Sequence, residues 1–171
     1  MNNIILILII ILIPFAIGWF SYAPWVPTRK EDIERAIWLI EFIWKNVFFE
    51  LGCWDWRTCF EVAKRYDIEV TWIEINIFMY LICILKKMIF YRKLKNVRFV
   101  YGSLFKINLK GVDIIYTFWM PEKMWKLAVK IKKECQKWTQ VISYAFGINW
   151  LENEIKDKPS KDMLSIFCYK I

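Results

Sequence analysis

Residues 47–57 read Val-Phe-Phe-Glu-Leu-Gly-Cys-Trp-Asp-Trp-Arg. Val47 to Leu51 is a short apolar run with one carboxylate, the composition of a strand buried on both faces, and Gly52 stops it. A helical pattern follows over about 57–66, so the stretch is a strand, a glycine turn and a helix. The same grammar repeats downstream. Glu69–Ile75 reads as a second strand, 77–94 as a long helix whose apolar first half gives way to Lys86, Lys87, Arg92 and Lys93, and Val97–Tyr101 as a third strand. Val112–Phe118 is a fourth strand, Glu122–Lys137 a Lys-rich amphipathic helix and Thr139–Phe146 a fifth strand. The end of the chain, turning at Lys158-Pro159-Ser160-Lys161, suits an antiparallel pair finishing in Met163–Tyr169. Upstream, Thr28-Arg29-Lys30-Glu31 has capping-box spacing ahead of Ile33, Ala36, Ile37, Ile40 and Trp44, which predicts a helix over 29–44. Strands alternating with helices predict an α/β fold: a parallel sheet covered on both faces, with any ligand outside the carboxyl ends of the strands.

Composition narrows the chemistry. A chain of 171 residues supports one small domain, and 58% hydrophobic residues exclude disorder. No histidine is present, which removes Ser-His-Asp and Cys-His nucleophile systems and His-ligated zinc or haem. The five cysteines (Cys53, Cys59, Cys83, Cys135, Cys168) form no CxxC pair and are odd in number, so they suggest neither a zinc ribbon nor a disulfide framework and fit a reducing compartment. Lys and Arg exceed Asp and Glu by 25 to 17, a net +8 that points to an anionic partner: a membrane surface, nucleic acid or an acidic protein.

Ile4 to Phe20 is a run of 17 uncharged residues, long enough to cross a hydrocarbon core, and Tyr22 and Trp25 follow as interfacial aromatics. Only Met-Asn-Asn precedes it and bulky residues follow it, so the pattern predicts an uncleaved transmembrane anchor over 1–23 and a domain over 24–171. Arg29 and Lys30 lie just past the span and the following domain is basic. The positive-inside rule then leaves 28–171 in the cytoplasm.

Glu50-Leu51-Gly52-Cys53-Trp54-Asp55-Trp56-Arg57 stands where a class I S-adenosylmethionine (SAM) methyltransferase carries its acidic-x-Gly-x-Gly-x-Gly turn. Pro24-Trp25-Val26-Pro27-Thr28, Ile73-Glu74-Ile75-Asn76, Tyr101-Gly102-Ser103-Leu104-Phe105, Phe118-Trp119-Met120-Pro121 and Ser143-Tyr144-Ala145-Phe146 with Trp150 keep that family's order and distance. Residues 24–171 thus resemble the small membrane-anchored methyltransferases related to the ATP synthase c-subunit lysine methyltransferase and its bacterial and archaeal relatives. The resemblance implies a Rossmann-like sheet of seven strands with the last antiparallel, SAM as co-substrate, a protein lysine as acceptor, and no metal.

It also implies a site. Glu50, Gly52, Cys53, Trp54, Asp55 and Trp56 would form the cofactor turn, with Glu50 facing the methionine ammonium directly or through water. Glu74, 22 residues beyond Gly52, ends the second strand where a carboxylate accepts from both ribose hydroxyls. Ser103 would bond the adenine amino group through its hydroxyl, and Ile75 and Leu104 would sandwich the ring. Tyr116, Phe118, Trp119 and Pro121 would build the acceptor channel, with Ser143 and Tyr144 opposite, aromatic walls that desolvate a lysine and hold its ammonium by cation–π contact.

Two residues depart from the pattern. Trp54 and Trp56 stand where the motif has glycines that let the backbone approach the ligand, and an indole there fills cofactor volume unless it turns away. Two readings follow: a membrane-tethered methyltransferase acting on a membrane or membrane-associated protein, or a scaffold that keeps the fold with its turn filled. From Leu85 to Lys110 the chain has basic residues and no acidic one, interleaved with Phe90, Tyr91, Phe99 and Phe105. That stretch reads as a solvated face over core aromatics, as a contact with anionic lipid beneath the anchor, or, least favoured, as a nucleic-acid groove.

Overall fold

The computed structural model describes residues 27–42, 47–52, 56–152 and 154–171. Strand β1 is Val47–Leu51, β2 Glu69–Glu74, β3 Val97–Tyr101, β4 Ile114–Thr117, β5 Gln140–Tyr144, β6 Glu154–Asp157 and β7 Ile166–Lys170. They form one sheet in the order β3-β2-β1-β4-β5-β7-β6. The first five run parallel, and β7 is antiparallel to both β5 and β6. This is the seven-stranded arrangement with an antiparallel last strand that the resemblance implies. The order reverses at β1/β4, and β1, β4 and β5 are apolar in nearly continuous runs because both of their faces are covered.

Helices α1 (Lys30–Trp38), α2 (Arg57–Arg65) and α3 (Ile77–Phe90) lie on one face, where Ile33, Ala36, Ile37, Cys59, Phe60, Val62, Met79 and Cys83 join Phe48, Val70, Trp72 and Tyr116 in one core. The opposite face is covered by α4 (Pro121–Glu134), through Met124, Leu127, Ala128 and Ile131, and by the irregular chain between β3 and β4. That chain carries only a 3-10 turn, Leu104–Lys106, and contributes Leu104, Leu109 and Val112 to the second core. Lys130 bonds both oxygens of Glu134, and Glu134 accepts from the Leu109 N–H, so α4 holds this chain down.

The helix expected over 29–44 is shorter, ending at Trp38, and Arg29 caps it without a side-chain bond, so the capping box read from Thr28 and Glu31 does not form. Gln140 explains the early end. Its amide nitrogen donates to the Leu39 carbonyl at 2.9 Å and its oxygen accepts from the Glu41 N–H at 2.9 Å, so residues 39–41 bond sideways to β5. The helix expected over 77–94 stops at Phe90 for a similar reason, the Leu94 N–H closing a turn onto the Tyr91 carbonyl. The anchor expected over 1–23 lies outside the described residues; among those described, no helix is long and apolar enough to cross a membrane.

Candidate functional site

The carboxyl ends of β1, β2 and β3 meet at one edge. Gly52 leaves β1 with φ +59, a conformation L side chains rarely adopt, and its N–H donates to the Ile73 carbonyl. A Cβ at Gly52 would lie 3.1 Å from the indole nitrogen of Trp119 and 3.9 Å from Leu104, so the absence of a side chain serves both backbone and packing. One strand over, Gly102 donates to the Glu74 carbonyl. Gly52, Glu74, Ile75, Ser103 and Leu104, drawn from three separate segments, are thereby gathered along one rim.

Glu74 is 5% exposed. Its carboxylate accepts the Asn76 N–H at 2.7 Å, and burial, opposed by amide bonds from Asn76 and Ile75, pushes its carboxyl up to about 7. Asn76 then caps α3, its side-chain oxygen accepting from Phe78 and Met79. Ile75 is 48% exposed at the rim, while Leu104 is buried in the second core. The Ser103 hydroxyl accepts weakly from the Phe105 N–H at the start of the 3-10 turn, which leaves it a second lone pair.

Glu50 is fully buried and faces the α1–α3 side, where one oxygen accepts from the Cys59 N–H in the first turn of α2. Its carboxyl group therefore lies against the positive end of that helix. Trp56 is the residue preceding α2, with φ −56, an ordinary right-handed conformation for an L residue. Its indole packs toward α3 under the Lys86 ammonium, 4.0 Å from the ring centroid. Cys53, Trp54 and Asp55 lie outside the described residues.

The residues expected to form one acceptor channel are divided between the two faces. Successive side chains of extended chain alternate sides, so Phe118 joins the α1–α3 core while Trp119 enters the other, where its indole donates to the Leu51 carbonyl at 3.0 Å and meets Phe105 edge-on. Tyr116 is buried beside Glu50, its register partner, and Pro121 is exposed as the first residue of α4. What does assemble at the ends of β4 and β5 is Phe118 with Tyr144 at 4.8 Å edge-on and with Phe146 at 6.3 Å stacked. The Ser143 hydroxyl donates to the Phe146 carbonyl, fixing that corner.

Behind these rings lies a cluster that the sequence did not single out. The Tyr144 hydroxyl donates to Asp32 at 2.6 Å, Asp32 pairs with Arg35, and Arg35 reaches Asp157 and the Leu164 carbonyl. Burial and the Asp32 carboxylate both push the Tyr144 phenol well above its usual value. The only sequence signal was the i,i+3 pair Asp32/Arg35 inside an apolar stripe. Ala145, just past β5, has φ +67, and the Phe146 N–H donates across it to the Tyr144 carbonyl at 2.9 Å, a γ-turn of the strained hand.

No protein-family model matches the chain. It is 24% identical over 143 residues to a protein-lysine N-methyltransferase of Saccharolobus islandicus, covering 81% of this chain and 86% of that protein. Among solved structures, an RNA methyltransferase of Salinibacter ruber in complex with S-adenosylhomocysteine superposes with a TM-score of 0.72 at 20% identity, over 85% of this chain and 94% of that one. A methyltransferase of Pyrococcus furiosus gives 0.58 at 19% identity, over 94% of this chain and 95% of that one. The chain has the Rossmann-like class I methyltransferase fold.

Proposed function

We propose that the chain is a membrane-tethered SAM-dependent methyltransferase acting on a protein lysine, with residues 28–171 on the cytoplasmic side. The observation that carries the reading is the rim itself: left-handed Gly52, the buried carboxylate of Glu74, half-exposed Ile75 and buried Leu104. The rim fits the co-substrate. Glu74 would accept the ribose hydroxyls, which would add donors to the amides of Asn76 and Ile75 that its carboxyl already holds. Ile75 and Leu104 would cover the faces of the adenine, and Ser103 would offer a lone pair to its amino group. The bound co-substrate supplies a methyl group already activated by its sulfonium, so the protein's task is to position and desolvate.

On the acceptor side, the Phe118, Tyr144 and Phe146 rings would exclude water from a lysine side chain, favour its neutral amine by desolvation and hold the ammonium by cation–π contact as it enters. Tyr144 is a wall rather than a base, because its phenol is held protonated against Asp32. The lysine assignment draws support from the Saccharolobus relative, and the tether from the uncharged run Ile4–Phe20.

A second reading is favoured by one observation: the Trp119 indole fills the space beside Gly52, and Trp54 and Trp56 depart from the glycine motif, as in a scaffold whose turn is closed. Calorimetric titration of SAM and S-adenosylhomocysteine into the full chain in nanodiscs separates the two. Micromolar binding supports methyl transfer. No binding by a chain that melts cooperatively overturns it, and a gain of binding in the Trp54→Gly, Trp56→Gly double variant then identifies the scaffold.

A further inference from the structure

Helix α3 buries only Met79 and Cys83 completely. Its outer side exposes Phe78, Leu81, Ile82, Leu85, Met88, Ile89 and Phe90, with Phe90 at 71%. Positions 78, 81, 82, 85 and 89 recur at helical spacing, so they form one stripe about 17 Å long. The only charged residues of the helix are Lys86 and Lys87, and both ammonium groups lean inward: Lys86 sits over Trp56 and Lys87 donates to the Val97 carbonyl. The outer side is left without a polar group. Contiguous apolar surface of this kind is rare on soluble domains and marks an interaction site.

Charge identifies what covers it. From Ile75 to Val112 there is no Asp or Glu and there are eight basic residues, so this stretch holds the whole net charge of +8 and the rest of the chain is balanced. Arg92, Lys93, Lys95, Arg98, Lys106 and Lys110 are exposed. A second copy is disfavoured, because an isologous dimer through α3 would face this charge against itself. A nucleic acid would answer the charge but gain nothing from Leu81, Leu85 or Ile89. An anionic bilayer answers both. Thr28, which follows the N-terminal apolar run in the chain, accepts through its carbonyl from Arg57 at the start of α2, beside Trp56 and hence beside α3.

We propose that α3 is an in-plane membrane helix: its apolar stripe enters the headgroup boundary of an anionic bilayer while the basic residues between Arg92 and Lys110 contact the lipid phosphates. The proposal stands on the α3 face and its charge, and needs neither methyl transfer nor the anchor. It does add to the proposed function, since α3 begins three residues after Glu74 and would bring the rim beside the membrane surface.

The test uses the full chain in phosphatidylcholine vesicles with and without phosphatidylglycerol, each doped with a diazirine phospholipid, and maps carbene adducts by mass spectrometry. Adducts over residues 78–90 are expected, about tenfold above those on α4 in anionic vesicles and far fewer in neutral ones. The Leu81→Gln, Leu85→Gln, Ile89→Gln variant, altered only at exposed positions, should lose them while its circular dichroism stays unchanged. Should that variant misfold, Lys93→Glu, Lys95→Glu provides the second arm and is expected to abolish the difference between the two lipids. Adducts confined to residues 4–20 would overturn the proposal and leave the anchor standing. It is equally overturned by background labelling of α3 accompanied by dimers in detergent, or by protection of α3 on adding single-stranded RNA rather than lipid.

Discussion

Glu74 shows what a buried carboxyl does to the protein that holds it. Its ordinary value is 4.5, and burial raises it to about 7 in the folded, ligand-free protein. A carboxyl whose folded value is raised adds stability in its protonated form, fully below the unfolded value. That contribution is lost as pH rises from about 4.5 to about 7, up to about 3 kcal/mol, and is flat above. Glu74→Gln has no charge to desolvate. At pH 8 the ligand-free variant should therefore melt higher than the parent, with the advantage shrinking towards pH 5, while the stabilisation that S-adenosylhomocysteine gives the parent disappears. Thermal melts at both pH values with and without ligand check this, and a lower-melting variant at pH 8 would contradict it. Ala145 is strained in the opposite sense, in its backbone. Its left-handed φ costs about 1–2 kcal/mol, of which the extra freedom of an unfolded glycine returns about 0.4–1, so Ala145→Gly should stabilise by about 1 kcal/mol in urea titrations. A loss of stability there would show that the methyl group packs for more than the turn costs. Glu74 was legible in the sequence because its spacing from a strand-ending glycine is itself a geometric statement. Ala145 carried no mark, since nothing local distinguishes an alanine forced left-handed by its neighbours.

Element boundaries follow from bonds that join distant parts of the chain. The first five strands were legible as short apolar runs whose boundaries moved by at most two residues, whereas β6, Glu-Ile-Lys-Asp, carried no such mark. The end of α1 was not legible, because Gln140, about a hundred residues away, takes the Leu39 carbonyl and the Glu41 N–H. Gln140→Leu withdraws both bonds and should cost about 1–3 kcal/mol, with faster hydrogen exchange at Glu41 than at the centre of β5. Unchanged exchange at Glu41 would mean that another group has taken over the clasp. The Arg35 cluster ties α1 to β6 and to the chain just before β7 in the same way. Arg35→Ala leaves Asp32 and its charge buried at 1% exposure, so a loss of about 2–4 kcal/mol is expected, with exchange rising first in α1 and β6. The residues expected on the acceptor side part at this scale for a plain reason. Residues 118 and 119 adjoin in sequence, and the alternation of extended chain sends them to opposite faces.

The parallel part of the sheet was legible because alternating strands and helices admit few sheets, whereas the placing of the last, antiparallel strand came only from what the methyltransferase resemblance implies. The outer side of α3 was not legible, since an apolar stripe reads as core and only the fold reveals that two of its residues are covered by protein. Charge acts at the same scale. The acid-free stretch from Ile75 to Val112 and the basic pair Arg29 and Lys30 lie on the carboxyl-terminal side of the run Ile4–Phe20. Under the proposed tether this charge would set the orientation, because translocating the basic side would move it against both the membrane potential and the anionic inner leaflet. Residues 28–171 should therefore be cut by trypsin in inverted membrane vesicles and protected in intact cells, while a tag before Met1 shows the reverse. Adding four lysines between Met1 and Asn2 should weaken this bias and produce a mixed population, because the charge difference across the span then narrows. Protection of 28–171 in inverted vesicles would place the domain on the far side of the membrane, away from cytoplasmic SAM, and would count against methyl transfer as well as against the orientation.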